Sequence, residues 1–264
     1  MRSPLLAVEE LGAGRPLVLL HGLATSSVIW AGVLGGLSHT RRVLTVDLPG
    51  FGRSAPVEGD FELERVAARI ARGLASRGIT GPYDVVGHSL GGVVAATLAA
   101  SRPRTVGRLV LVAPAGLAPL PPLAVRFLSA AADPVLAARR RLAPLVDLPL
   151  GRRALLSFAA ADGARIPPAH ARMMVQASSE ARRTSAALIA VGEIDLRAVL
   201  ERVRAPVGAI WGEADRTIPA AYAAMLAQAR PGIPIELIAG GGHVVMAERP
   251  SEFTAALQRL LDRL

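Results

Sequence analysis

Cysteine and lysine are both absent from this sequence of 264 residues, and aromatic residues are scarce. Without cysteine the chain has no disulfide, no thiol nucleophile and no cysteine-ligated metal cluster. Only 3% of the residues are aromatic, which is too few stacking side chains for a protein that binds single-stranded nucleic acid. We therefore expect no nucleic-acid partner and no metal site built on thiolates.

Long apolar runs are also missing, although hydrophobic residues make up 52% of the chain. A membrane-spanning helix needs about 20 mainly apolar residues in a row. The best candidate, residues 85–100, is shorter and contains His88 and Ser89. The apolar stretch at the N-terminus is too short for a secretory signal. We therefore expect a cytoplasmic protein with no membrane span.

Positive charge is abundant and unevenly distributed. The net charge is +9, and all 30 basic residues are arginine. Between Gly116 and Ala205 there are 13 arginines and 7 acidic residues, and most of the excess charge lies in this segment. A solvated helical surface explains this, but attraction of an anionic substrate or surface is an alternative. The densest clusters are residues 139–141, 152–153 and 182–183.

Apolar runs alternate with helical patterns through most of the chain. Such alternation predicts βαβ units and a mostly parallel α/β sheet flanked by helices. Asp60 is the expected N-cap of a helix over residues 61–77. The predicted strands are residues 16–20, 42–47, 83–86, 108–113, 207–211 and 235–238.

The middle of the chain has a different pattern. From about residue 115 to 204 the strand signal disappears, and prolines interrupt stretches rich in alanine, arginine and leucine. We predict an inserted helical cap over residues 115–205 and a core formed by residues 1–114 and 206–264. The cap is expected above the carboxyl ends of the strands, where open α/β sheets bind ligands.

One short motif indicates the chemistry. Residues 87–91 read G-H-S-L-G, which is the pattern G-x-S-x-G with Ser89 at its centre. A strand-like run precedes it and a run of small residues with helical character follows, which is the context of a nucleophile elbow. The turn holds the serine in a strained conformation, and we expect Gly87 and Gly91 to remove the collisions that side chains would make there.

A serine nucleophile needs a base, and the base needs an acid to orient it. His243 follows three glycines directly after the last predicted strand, so it is the expected base. Asp215 follows the preceding strand and is the expected acid, with Glu213 on the same loop as its competitor. His88 is the neighbour of Ser89 and is expected to pack under the turn.

The reaction also requires donors for the developing oxyanion. The backbone N–H of Leu90, the residue after the serine, is one expected donor. The N–H of Leu23, in the loop after the first strong strand, is the other. We find no dinucleotide motif, no P-loop and no histidine or carboxylate cluster with metal-ligand spacing, and we therefore expect neither a cofactor nor a metal.

Taken in order, these motifs resemble those of α/β-hydrolase-fold enzymes of the capped esterase, haloperoxidase-like and carbon–carbon hydrolase type. The resemblance spans nearly the whole chain and implies a helical cap over the pocket, but its motifs do not specify the substrate. One departure is the short N-terminus, which implies that the first edge strand of larger members is missing. The shared motifs are His21-Gly22, residues 47–54 (D-L-P-G-F-G-R-S), the elbow, residues 212–219 and Gly242-His243.

The sequence favours a serine hydrolase that cleaves a small or medium carboxylic ester through an acyl-enzyme, with an apolar pocket near Leu23, Leu90 and Leu117. A carbon–carbon bond hydrolase acting on a diketone-type ring-fission product is the alternative within the same resemblance, and it would need an inward-pointing cap arginine. A ligand receptor on the same fold is an alternative of another class. If the protein is a receptor, we expect the segment Met173–Val175 at an interface with a partner. If it is an enzyme, we expect this segment in the lining of the pocket.

Overall fold

The computed structural model describes residues 5–118, 120–181 and 183–264. Arg182 of the basic clusters and the first residues of the N-terminal stretch lie outside this part. Seven strands form one sheet in the order β1-β3-β2-β4-β5-β6-β7. The strands are β1 (Val8–Leu11), β2 (Arg15–Leu20), β3 (Arg41–Val46), β4 (Tyr83–His88), β5 (Val106–Val112), β6 (Val207–Gly212) and β7 (Ile235–Ile238).

Six of these strands are the predicted ones, with ends that differ by at most two residues. The additional strand, β1, lies at the edge and pairs antiparallel with β3, whereas all other pairs are parallel. The edge beyond β3 is therefore occupied by four residues of the short N-terminal segment.

The helices are α1 (Ala31–Ser38), α2 (Leu63–Ala75), α3 (Leu90–Ser101), α4 (Pro122–Arg139), α5 (Pro149–Leu156), α6 (Pro168–Glu180), α7 (Thr184–Glu193), α8 (Leu196–Glu201), α9 (Tyr222–Ala229), α10 (Val245–Glu248) and α11 (Pro250–Arg263). The prediction for α2 was wrong at its start. The residue before the helix is Glu62, no side chain caps its first turn, and Asp60 therefore does not serve as N-cap.

The sheet is buried on both faces, which is why its central strands are continuous apolar runs. Along β2, Val18 and Leu20 pack into the layer formed with α2, α3 and α8. Leu17 and Leu19 pack into the opposite layer with α1 and α11. After β2 the chain continues to α1 on one face of the sheet. After the adjacent β4 it continues to α3 on the opposite face. A crevice at the carboxyl ends of two such strands is where open α/β sheets bind ligands.

The described residues between β5 and β6 contain helices and turns and no strand, as the sequence predicted. They comprise α4 to α8 with two 3₁₀ segments, Arg140–Asp147 and Gly163–Arg165. Helix α8 packs against α3 in the core. Among all described helices, none is both long enough and apolar enough to cross a membrane.

Candidate active site

Ser89 lies in a sharp turn between the end of β4 and the start of α3, at the crevice. Its backbone angles, φ 52° and ψ −117°, belong to a region that residues other than glycine rarely adopt. The turn is held because the Ser89 amide donates to the carbonyl of Val112 (2.9 Å) and its carbonyl accepts from Ala115 (3.3 Å). The strain predicted for the elbow is therefore present.

The two glycines of the motif permit two different close contacts. A Cβ at Gly87 would lie 2.2 Å from the carbonyl oxygen of Gly91, so a side chain there would break the elbow as expected. A Cβ at Gly91 would instead meet the carbonyl oxygens of Leu20 and His21 at 2.4 Å. The expectation that Gly91 removes a collision within the turn was therefore wrong. Gly91 instead permits the first turn of α3 to approach the end of β2.

Asp215 and His243 come from the loops that follow β6 and β7. The Nδ1–H of His243 donates to Oδ2 of Asp215 at 2.8 Å. The other oxygen, Oδ1, accepts from the amides of Thr217 (2.8 Å) and Ile218 (2.9 Å), which fix the carboxylate in place. Because a carboxylate only accepts, this bond places the ring proton on Nδ1 and leaves Nε2 of His243 free as a base.

The competitor on the same loop is not part of this arrangement. Glu213 is exposed, whereas Asp215 is buried and bonded to the histidine. Close approach of the two loops depends on glycine, since a Cβ at Gly212 would lie 2.3 Å from the carbonyl oxygen of Gly241. The two loops thus bring Asp215, and not Glu213, to His243.

His88 precedes Ser89 in the chain and packs against His243. It is buried under the turn, as predicted, and its Nε2–H donates to the backbone carbonyl of His243 at 3.0 Å. The rings of His88 and His243 are 4.5 Å apart. Burial holds the pKa of His88 well below its ordinary value, and the neighbouring His243 lowers it further. His88 is therefore an uncharged support for His243.

The ring of His88, the residue before Ser89, packs against that of His243, but no hydrogen bond joins Ser89 Oγ to His243 among the described residues. In enzymes without bound substrate such contacts are often long and tighten only when substrate is present. The arrangement contains the bonded pair of His243 and Asp215, and Ser89 directly follows the histidine that packs against His243.

The two expected oxyanion donors lie at the same cavity as Ser89. Leu90 is the first residue of α3, where backbone N–H groups have no partner within the helix. Neither the amide of Leu90 nor that of Leu23 donates to any other described residue. Both N–H groups therefore lack a hydrogen-bond partner within the described part of the chain.

His21 holds the loop that carries Leu23. Its Nδ1–H donates to the carbonyl of Gly22 (2.8 Å), and its Nε2 accepts from the amide of Leu48 (2.9 Å). Burial lowers the pKa of His21, and the charge of Asp47 offsets this only in part. The neutral ring thereby connects the His21-Gly22 motif to the segment that begins at Asp47.

Glu248 is a residue that the sequence analysis missed. It is buried, and its carboxylate accepts from the amides of Gly242 (2.8 Å) and Ala161 (3.2 Å) and from that of Asp162. It therefore joins the loop before His243 to the helical segment. Its only signal in the sequence is an acidic residue at the end of an otherwise apolar run, five positions after His243.

The cavity beside Ser89 has a volume of about 340 Å³. Leu23, Leu90 and Leu117 line it, as the sequence predicted, and none of its described lining residues is charged. Met174 and Val175 are instead buried on α6, which packs against the 3₁₀ turn Ser27–Trp30, and Met173 is 42% exposed. None of the three lines the cavity beside Ser89, so the expectation that this stretch lines the pocket was wrong. No group of three or more metal-ligating side chains was found in the described part of the chain.

Comparisons with known proteins find esterases among the proteins that are similar to this chain. Pimeloyl-[acyl-carrier protein] methyl ester esterase of Nitrosomonas europaea is 33% identical over 259 residues, which cover 96% of this chain and 98% of that protein. A thermophilic esterase from Thermogutta terrifontis has a TM-score of 0.79 at 26% identity, covering 98% of this chain and 93% of that one. A bromoperoxidase from Bacillus anthracis shares the fold with a TM-score of 0.80 at 23% identity, over 97% and 95% of the two chains.

The profile of the alpha/beta hydrolase family matches residues 17–257, which is nearly the whole chain. This range includes the elbow, the loops after the last two strands and the helical segment. The chain therefore belongs to the alpha/beta hydrolase family and is a hydrolase.

Proposed function

We propose that the protein is a serine esterase with Ser89, His243 and Asp215 as its catalytic triad. The observation that carries this proposal is the 2.8 Å hydrogen bond between His243 Nδ1 and Asp215 Oδ2, in a chain whose Ser89 has the strained elbow conformation with φ 52°. The free amides of Leu23 and Leu90, at the same cavity, form the oxyanion hole.

The mechanism follows from these positions. Nε2 of His243 takes the proton of Ser89 Oγ as this oxygen attacks the ester carbonyl carbon, and Asp215 stabilises the imidazolium that forms. The oxyanion accepts hydrogen bonds from Leu23 and Leu90. His243 then gives the proton to the leaving alcohol, which leaves an acyl group on Ser89. Water, deprotonated by His243, hydrolyses this ester and releases the acid.

The cavity supports a small or medium uncharged acyl group as substrate. Its volume of about 340 Å³ is near the lower end of the range of small-molecule sites, about 300–1,000 Å³. The apolar lining disfavours a ring-fission product with a carboxylate, which would need a cationic side chain in the cavity. The name of the Nitrosomonas europaea relative, a methyl ester esterase, supports ester cleavage here.

We further propose that residues 115–205 act as the cap of this site. Leu128 of α4 and Leu188 of α7 line the cavity together with the core residues Leu23 and Leu90. Helix α8 anchors the segment by packing on α3. A cap placed in this way excludes water from the ester and sets the length of acyl chain that fits.

Hydrolysis of p-nitrophenyl esters with acyl chains of two to twelve carbons tests the proposal. We expect activity to peak at one chain length and to fall by about 10⁴-fold or more in Ser89→Ala. Asp215→Ala is expected to lose activity strongly, whereas the matched variant Glu213→Ala, on the same loop but exposed, keeps it. Folded wild type that hydrolyses none of these esters, or a Ser89→Ala variant of full activity, would contradict the proposal.

A further inference from the structure

The outward side of α4 is apolar. Leu123 is 64% exposed and Phe127 is 68% exposed, and their spacing of four residues places them on the same side of the helix. Val135 is also exposed, while Val125 and Ser129 on the opposite side are buried. Helices at a protein surface normally turn their apolar side inward, so this second apolar side requires an explanation.

Exposed apolar side chains continue beyond α4. Leu142 and Leu145 lie three residues apart in the 3₁₀ segment Arg140–Asp147, which puts them on one side of it. Leu148 and Leu150 follow at the start of α5, and Leu150 is 74% exposed. Ten of the fifteen large apolar residues exposed in the described chain lie between residues 120 and 158. The exposure is therefore concentrated in one segment.

The charges beside this surface are positive. Arg126 is the only charged residue at an exposed position of α4, and Arg140 and Arg141 follow its C-terminus. None of these three has an acidic partner within 4.0 Å among the described residues, unlike Arg153 and Arg172, which pair with aspartates. The surface therefore complements an occupant that is both apolar and negatively charged.

The apolar surface also reaches the active-site cavity. Leu128, on α4, lines the cavity beside Ser89 and is nevertheless half exposed. Leu120, just before α4, also lines this cavity and is also exposed. An acyl chain that leaves an apolar phase at α4 would thus reach Ser89 along leucine side chains.

We propose that this face binds the surface of an anionic lipid bilayer. The docking face is defined as Leu123, Phe127 and Val135 with Arg126, Arg140 and Arg141. Its leucine and phenylalanine side chains enter the boundary between headgroups and acyl chains, and its arginines contact lipid phosphates, as in other interfacial helices. The inference does not depend on the ester chemistry proposed above, because binding to lipid requires no turnover.

Co-sedimentation of the full chain with vesicles tests this inference. Vesicles of phosphatidylcholine alone are compared with vesicles that contain phosphatidylglycerol, at low and high salt. We expect at least tenfold stronger binding to the anionic vesicles, weakened by salt. The variant Ser89→Ala is expected to bind equally well, so a failure of the esterase proposal and a failure of this one are distinguishable.

Variants of the docking face supply the decisive comparison. The first variant combines Leu123→Ser with Phe127→Ser. The second combines Arg126→Gln, Arg140→Gln and Arg141→Gln. We expect each variant to bind anionic vesicles at least tenfold more weakly than wild type. The control is Leu237→Ser, which replaces a half-exposed leucine of β7 and leaves binding unchanged. Circular dichroism establishes that each variant is folded.

Three results would overturn the inference. The first is no binding to anionic vesicles, and the second is equal binding by wild type and the two docking-face variants. The third is a concentration-dependent dimer of wild type, lost in the Leu123 and Phe127 variant, without vesicle binding. That last result would assign the face to a second copy of this chain.

Discussion

At the residue scale, the candidate site depends on one buried histidine that performs no proton transfer in our mechanism. His88 donates to the backbone carbonyl of His243, and the two rings lie 4.5 Å apart in a tilted arrangement. Its Nδ1 is buried without a partner in the described structure. The ring thus makes a single polar contact, and that contact fixes the position of the proposed base.

Substitution of His88 tests this positioning role. We expect His88→Ala to reduce kcat about 10- to 100-fold, since a small error in the position of a catalytic group has effects of this size. The measurement is ester hydrolysis at 25 °C with protein shown to be folded. His88→Gln retains a donor near the position of Nε2 and should recover most of the activity.

A His88→Gln variant as impaired as His88→Ala would contradict a role through this hydrogen bond. A change in KM with unchanged kcat would indicate that His88 shapes the pocket and does not position the base.

At the element scale, the sequence predicted the sheet better than the contacts between its loops. Six strands were predicted because buried parallel strands are continuous apolar runs. The edge strand β1 was missed because its four residues are mostly exposed and include two glutamates. The start of α2 was placed too early because an aspartate near a helix start resembles an N-cap, although Asp60 does not cap this helix.

The places of Ser89, Asp215 and His243 after strands of the sheet also followed from the sequence, because a residue directly after a parallel strand lies at the carboxyl edge of the sheet. The supporting contacts did not follow. Glu248 bonds to residues 86 and 87 positions away, and His88 to a residue 155 positions away. No local pattern in the sequence encodes such pairs.

Glu248 gives the prediction at this scale. In the variant Glu248→Gln, an amide NH₂ group replaces one of the carboxylate oxygens that accept from backbone N–H groups. Buried donors are then left unpaired, which lowers the free energy of unfolding by about 1–3 kcal/mol. We expect a lower melting temperature and at least a tenfold lower kcat at 25 °C, because the loop before His243 loses its link to the helical segment. Ester kinetics and thermal unfolding measure the two effects.

The matched control is Glu252→Gln, which alters an exposed glutamate on the neighbouring helix α11. It should leave both quantities unchanged. Full kcat in Glu248→Gln, measured while the protein is folded, would show that Glu248 stabilises the fold without positioning His243.

At the scale of the whole molecule, buried neutral histidines couple stability to pH. Burial lowers the pKa values of His21, His88 and His170 below their ordinary value of 6.5. In the unfolded chain these groups bind protons below about pH 6.5, while in the folded chain they bind protons only at lower pH. The unfolded state therefore gains protons as the pH falls, and the folded state loses stability.

We expect the free energy of unfolding to be constant from pH 7 to 8 and to fall below pH 6.5, by up to about 1.4 kcal/mol per pH unit for each such histidine. Urea unfolding between pH 5 and 8 measures this. His88→Gln should reduce the slope, because it removes one of these buried histidines. Equal stability at pH 5 and pH 7 would contradict the account.

The central claim, that Ser89 is a nucleophile activated by His243 and Asp215, is tested most directly by covalent trapping. The protein is treated with a fluorophosphonate, and the modified peptide is identified by mass spectrometry. We predict one adduct on Ser89, formed much more slowly in Asp215→Ala and at the wild-type rate in Glu213→Ala. An unmodified Ser89 in folded wild type, or an adduct on another serine, would contradict the claim.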